Sequence, residues 1–143
     1  MEVFPEALAE AFLQVSRRLR SQTQRRMAPL GVNLHQSRAL RTIAEHGPLR
    51  PSELAGRLGI TPRSATDSVA PLVASGLVER RTDPEDGRAQ LLALSSAGEV
   101  TLAGIGRARA EAGAELFGRL SPAEREALAA LLDRLRAESP QGH

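Results

Sequence analysis

The chain has 143 residues, 41 % of them hydrophobic, which suits one domain or one small domain with helical extensions. It holds no Cys, so disulfides and thiol redox sensing are excluded, and no stretch approaches the roughly 20 apolar residues of a membrane span. The formal net charge is only +2, and no basic block concentrates it: residues 1–33 carry five Arg against three acids, 34–94 eight against seven, and 95–143 six against seven.

The start, "MEVFPEALAEAF", is acidic and amphipathic, unlike a signal peptide, and the expectation is a soluble cytoplasmic protein. A first helix is predicted over 5–28, with Leu8, Phe12, Val15 and Leu19 on one face. "PLGVN" breaks it. Asn33 then caps a second helix, with Gln36 three positions on as a capping box. Leu34, Leu40, Ile43 and Ala44 are its predicted buried side, and Gly47-Pro48 ends it. A short third helix opens on Pro51, with Glu53 in its first turn and Leu54, Ala55 and Leu58 inward. After a Gly59-Ile60 turn, Thr61 caps a fourth helix with Pro62 at its first position. It runs to about Ser75 and stops at Gly76. Ala65, Val69, Leu72 and Val73 face the core, Arg63, Ser64 and Asp67 face away, and Thr66 sits at the border. Pro71 falls inside this helix, where it removes the donor to the Asp67 carbonyl and is expected to kink it. Two short strands near 77–81 and 89–94 flank "TDPEDGR" as a hairpin. Ser95 caps a long helix over 96–118, with Val100, Ile105, Ala108, Ala112 and Leu116 on one face. Ser121-Pro122-Ala123-Glu124 is a capping box opening a last helix over 122–137, with Leu128, Leu131, Leu132 and Leu135 inward. The tail "ESPQGH" is expected to fray.

The order helix, helix, turn, helix, two-stranded hairpin is a winged helix-turn-helix, and "RLGIT" has the Gly expected at the tight corner. In such a fold the fourth helix enters the major groove with its N-terminal residues at the base edges. At this point the sequence resembles the MarR family of bacterial transcriptional regulators. The resemblance runs from "GVNLHQSRALRTIAEHGPLRPSELAGRLGITPRSAT" through "GLVERRTDPEDGRAQLLALSSAG", and its most specific part is the D-P-x-D-x-R wing, Asp83-Pro84-Glu85-Asp86-Gly87-Arg88. It implies a mainly α chain with a small two-stranded β wing and with N- and C-terminal dimerisation helices. The expected parts are an N-terminal dimerisation helix in 1–33, the DNA-binding lobe in 34–94 and C-terminal dimerisation helices in 95–143. It also implies a homodimer that reads a pseudo-palindrome in double-stranded DNA, with Leu8, Phe12, Leu116, Leu128, Leu131, Leu132 and Leu135 at the dimer interface.

The residues suit that assignment on physical grounds. Arg88 near the wing tip can enter the narrow minor groove, where negative potential is enhanced. Asp86, two residues earlier, can accept from its guanidinium and hold it extended; the bland alternative is a backbone Asx-type bond. Arg63, Ser64, Thr66 and Asp67 are candidates for base edges, with Arg63 donating to guanine and Asp67 accepting from cytosine, or else for phosphates. Ser52 is a candidate phosphate contact. Of Arg80 and Arg81 only one should face DNA, by strand alternation, and Arg80 is chosen.

Competing functions are weaker. His35, His46 and His143 are scattered, there is no Gly-rich phosphate loop and no H-E-x-x-H, so neither an enzyme nor a metal or cofactor site is expected. A winged module that binds protein instead of DNA is the alternative, given the near-neutral lobe. The resemblance further implies release from DNA by a small aromatic or anionic molecule in a crevice lined by the first, second and fifth helices. Arg17, Arg18, His35 and Arg38 could pair with an anion there; the favoured alternative leaves them on the solvent side of their helices.

Overall fold

The structure, a computed structural model, describes residues 2–137; the frayed tail expected at 138–143, with His143, lies outside them. The elements follow in the order α1 (Pro5–Met27), a 3-10 turn (Ala28–Leu30), α2 (Leu34–His46), α3 (Pro51–Leu58), α4 (Pro62–Ala74), β1 (Val78–Thr82), β2 (Gln90–Leu94), α5 (Ser96–Phe117) and α6 (Pro122–Arg136). The chain is thus mostly helical with one two-stranded antiparallel sheet, and every predicted element is present within a residue or two of its expected bounds.

The boundaries follow from local chemistry. Oδ1 of Asn33 accepts the Gln36 N–H at 2.8 Å while the Gln36 side chain accepts the Asn33 N–H, a reciprocal capping box, and Ser121 with Glu124 repeats it on α6. Thr61 and Ser95 cap α4 and α5 by accepting the N–H groups of Ser64 and Gly98. The corner between α3 and α4 turns at Gly59, whose φ of 68° is left-handed and disfavours any side chain. Pro71 does not break α4: the helix is continuous to Ala74, and Pro71 lies on its exposed side, where water can serve the Asp67 carbonyl.

One apolar core lies between α2, α3, α4, the hairpin, α5 and the C-terminal end of α1. Met27, Leu40, Ile43, Leu49, Leu54, Val69, Leu72, Val78 and Ile105 are almost wholly buried in it. In the hairpin Val78 stands opposite Leu94, Arg80 opposite Leu92 and Thr82 opposite Gln90. A third piece of extended chain joins it, because Leu49 and Leu92 exchange both backbone hydrogen bonds at 3.1 and 2.8 Å. The start of α5 is fastened to the base of the hairpin. Ser95 donates through its hydroxyl to the Gly76 carbonyl at 2.5 Å and through its N–H to that of Leu77 at 3.0 Å. A Cβ on Gly98 would lie 2.1 Å from the Leu77 carbonyl oxygen, so only glycine permits this approach.

Several predicted faces need correction. Ala44 is on the apolar side of α2 but is exposed, because it borders an open cleft of about 440 Å³ between α2, the hairpin and α5. Val100 is 72 % exposed. The buried stripe of α5 passes through Ile105, Ala108 and Ala112, and Val100 lies five residues before Ile105, on the other side of the helix. Leu8, Phe12 and Val15 share one face of α1 as expected, and that face is open within the single chain, at 57 %, 56 % and 46 % exposed. The inward leucines of α6 meet the same outcome, since no residue of α6 is buried; Leu131 and Leu135 are exposed, and Leu116, Leu128 and Leu132 are half-buried.

Candidate nucleic-acid interface

The N-terminal turn of α4 presents a polar row. Arg63, Ser64, Thr66 and Asp67 are all exposed, while Ala65 and Val69 anchor the opposite face in the core. Thr61 donates its hydroxyl to Oγ of Ser64 at 2.9 Å, and Thr66 donates to the Pro62 carbonyl at 3.0 Å. Both bonds restrict side chains that would otherwise rotate freely, so Ser64 and Thr66 are held before any ligand arrives, while Arg63 and Asp67 stand exposed beside them. Ser52 is exposed in the first turn of α3.

Strand alternation separates the two hairpin arginines as expected. Arg80 lines a small hollow with Pro51, Thr66 and Val69, which places it beside α3 and α4. Arg81 faces the other way, into the cleft with Ile43 and Leu102, and pairs with Glu79 at 3.3 Å.

The wing loop differs from expectation at Asp86. Its Oδ1 accepts the backbone N–H of Arg88 at 3.1 Å, not the guanidinium, so in the free chain Asp86 shapes the loop and does not aim the side chain. The Asp86 carbonyl takes the next N–H, that of Ala89, at 3.0 Å. Arg88 is exposed, and among the described residues its guanidinium has no hydrogen-bond or ion-pair partner.

Sequence reasoning missed the ion pair that ties the wing to α3. Asp83 is only 7 % exposed. Its Oδ1 accepts the Glu85 N–H at 2.9 Å, and its Oδ2 accepts Nη2 and Nε of Arg50 at 2.8 and 3.2 Å. The available signal was an Arg at the residue before α3, where Ser, Thr, Asp or Asn is the usual cap. The Glu85 N–H first, and the Arg50 guanidinium second, hold the Asp83 carboxyl below its ordinary range, against a smaller opposing effect of burial. Arg50 is raised in turn, chiefly by its hydrogen bond to Asp83.

A carboxyl with a depressed folded value stabilises the fold above its ordinary value of about 3.9 and loses that contribution as pH falls through the depressed value. The melting-temperature gap between wild type and Asp83→Asn should therefore be constant from about pH 5 to 8 and shrink below about pH 4. Thermal unfolding followed by circular dichroism across that range checks this; a gap unchanged down to about pH 2 would show that Asp83 acts without its charge.

The candidate effector residues Arg17, Arg18, His35 and Arg38 are exposed, because α1 turns Gln22, Thr23 and Met27 inward and α2 turns Ser37, Ala39, Leu40 and Ile43 inward. A cleft of about 400 Å³ between α1 and α5 is lined instead by residues including Leu19, Thr23, Arg109 and Phe117. Beside it, Gln22 and Arg26 of α1 both bond to the Glu115 carboxylate of α5. Among the described residues no helix is long and apolar enough to cross a membrane.

Comparison with known proteins places this geometry in context. The MarR family profile matches residues 30–89. An uncharacterized HTH-type transcriptional regulator of Mycobacterium bovis is 36 % identical over 136 residues, covering 93 % of this chain and 92 % of that protein. The crystal structure of RV1404 from Mycobacterium tuberculosis superposes with a TM-score of 0.84 at 26 % identity, over 99 % of this chain and 98 % of that one. The Mycobacterium tuberculosis MarR family protein Rv2887, solved in complex with DNA, matches with a TM-score of 0.77 at 22 % identity, over 91 % of this chain and 98 % of that one. The same protein solved with salicylic acid matches with a TM-score of 0.73 at 22 % identity, over 94 % and 97 %. With its winged helix-turn-helix and relatives of this similarity along nearly its whole length, the chain belongs to the MarR family of transcriptional regulators.

Proposed function

We propose that the chain is a homodimeric, sequence-specific repressor that binds a pseudo-palindromic operator in double-stranded DNA and is released by a small aromatic or anionic molecule. The observation that carries this reading is the exposed polar row Arg63, Ser64, Thr66 and Asp67 on α4, flanked on one side of the lobe by Arg80. A helix N-terminus with such a row suits base edges in the major groove, where Arg63 donates to guanine and Asp67 accepts from cytosine N4. Ser52 and Arg80 take phosphates, and Arg88 takes the adjoining minor groove. That a protein of this fold has been solved with DNA supports the class of partner.

The proposed division of labour gives the DNA lobe to 34–94 and the dimer to α1 and the C-terminal helices; the exposed apolar face of α1 and the leucines of α6 supply apolar surface for that dimer. A groove of about 260 Å³ lined by Phe117, Arg125, Leu128, Ala129 and Leu132 adds to that surface. For the effector, the α1–α5 cleft with Arg109 is a better host than the exposed Arg17, His35 and Arg38, because it joins a cation to apolar walls.

The test is a salt titration of binding to duplexes enriched by the protein from a randomised library. Affinity should fall steeply and linearly in log–log form, as several phosphate counterions are released. A flat response would sink the DNA reading and favour a protein-binding module. Arg63→Ala should relax base preference at one symmetric pair of positions by roughly tenfold, whereas a uniform loss across all sequences would demote Arg63 to a phosphate contact.

A further inference from the structure

Helix α3 begins on a misfit. Its N-cap residue, Arg50, makes no side-chain cap bond, and a guanidinium has no acceptor to offer the first-turn N–H groups. The side chain runs to the wing instead, where both Nη2 and Nε reach Oδ2 of Asp83. Arg50 leaves from a fixed point, because the preceding Leu49 is paired in both directions with Leu92 of β2. Asp83 is fixed as well: its other oxygen closes the turn at Glu85, and its N–H donates to the Ala89 carbonyl at 3.0 Å. One carboxylate therefore closes the root of the wing loop and ties it to the start of α3. A residue that forgoes a local cap to make a contact 33 positions away marks a site where another demand outweighs helix stability.

We propose that Arg50 and Asp83 form a latch that positions the wing, setting where Arg88 stands relative to the base-reading turn of α4. This rests on the reading of α4 and Arg88 as DNA contacts. Both latch residues are positioning residues: they act through Arg88. With the latch closed, the loop is ordered before binding, and less conformational freedom is lost when the guanidinium enters a groove.

The sign of one substitution separates a latch from simple electrostatics. Asp83→Asn removes a negative charge from a DNA-facing lobe, so Coulombic attraction alone predicts tighter binding. The latch predicts weaker binding, by roughly three- to tenfold. Asn can still accept the Glu85 N–H, so the change isolates the tie to Arg50.

The experiment uses the full-length protein and four variants: Asp83→Asn, Arg50→Ala, Arg50→Lys and the double Arg50→Ala/Asp83→Asn. Backbone amide hydrogen exchange is measured without DNA, and binding is measured on duplexes enriched by the wild type from a randomised library. Expected are faster exchange at Glu85, Arg88 and Ala89 in Asp83→Asn and Arg50→Ala, and a double variant no weaker on DNA than the weaker single one. Arg50→Lys should recover part of the loss. Preference for A·T-rich flanks should fade while preference at the α4 positions stays. Unchanged wing exchange, or tighter binding by Asp83→Asn, overturns the latch. If the wild type enriches no sequence, the DNA reading itself fails, and the exchange data still decide whether the wing is latched.

Discussion

Replacing Leu131 by Asp is expected to convert the dimer to a monomer and to weaken operator binding by roughly 10²–10⁴-fold. The size follows from geometry. On the proposed dimer two lobes engage two half-sites, and the second engagement is intramolecular; separate monomers would lose that advantage without losing a single DNA contact. The change should leave the lobe folded, because Leu131 is 55 % exposed within its own chain and α6 buries nothing there. On the proposed dimer the same position lies in an apolar interface, where an unpaired carboxylate is strongly disfavoured. Light scattering should report the monomer mass, with circular dichroism near that of the wild type. Leu132→Asp is a second route to the same result. A dimer mass for both variants would place the interface elsewhere.

Arg88→Ala should weaken operator binding by about 10- to 100-fold and leave the dimer and the melting temperature unchanged. Its guanidinium is exposed and without a protein partner among the described residues, so removing it deletes no contact of the folded chain. Whatever is lost is lost from the complex. The loss should be largest on duplexes with A·T-rich flanks, where a narrow minor groove concentrates negative potential. Gel shift at near-physiological salt, with paired A·T and G·C flanks, measures both quantities; equal affinity for wild type and variant would remove Arg88 from the interface.

The elements were legible in the sequence because their boundaries are local. Asn33, Thr61, Ser95 and Ser121 each cap a helix by reaching only three residues along the chain. The stripe Ala65, Val69 and Leu72 needs no more than the helical period to be assigned inward. The candidate DNA row followed as the complement of that stripe. The pair Arg50–Asp83 was not legible, since nothing local couples an Arg before one helix to the first residue of a wing motif 33 positions later. The same holds for Leu49 and Leu92, whose pairing adds a third piece of chain beside a hairpin that the pattern predicts alone. Asp86 was misjudged because its carboxylate had two partners at the same residue, the Arg88 side chain and the Arg88 backbone, and the shorter path won. The faces of α1 and α6 were read correctly as apolar stripes; what periodicity cannot say is whether a stripe meets its own chain or another.

Gly98, Ser95 and Gly76 have a mechanical consequence. They weld the first turn of α5 to the hairpin base, so the lobe and the helix turn together as one arm. The arm is 22 residues long, about 33 Å at 1.5 Å per residue. A pivot at its far end, near Phe117, multiplies small angles: a tilt of about 5° displaces the lobe by about 3 Å. In the proposed dimer, two such arms tilting in opposite senses would change the span between the α4 helices by about 6 Å, set against a helical turn of DNA of about 34 Å. On the proposed dimer, a molecule seated in the cleft between α1 and α5 would need to move its walls by only a fraction of an ångström per turn of helix to put both lobes out of step with the groove.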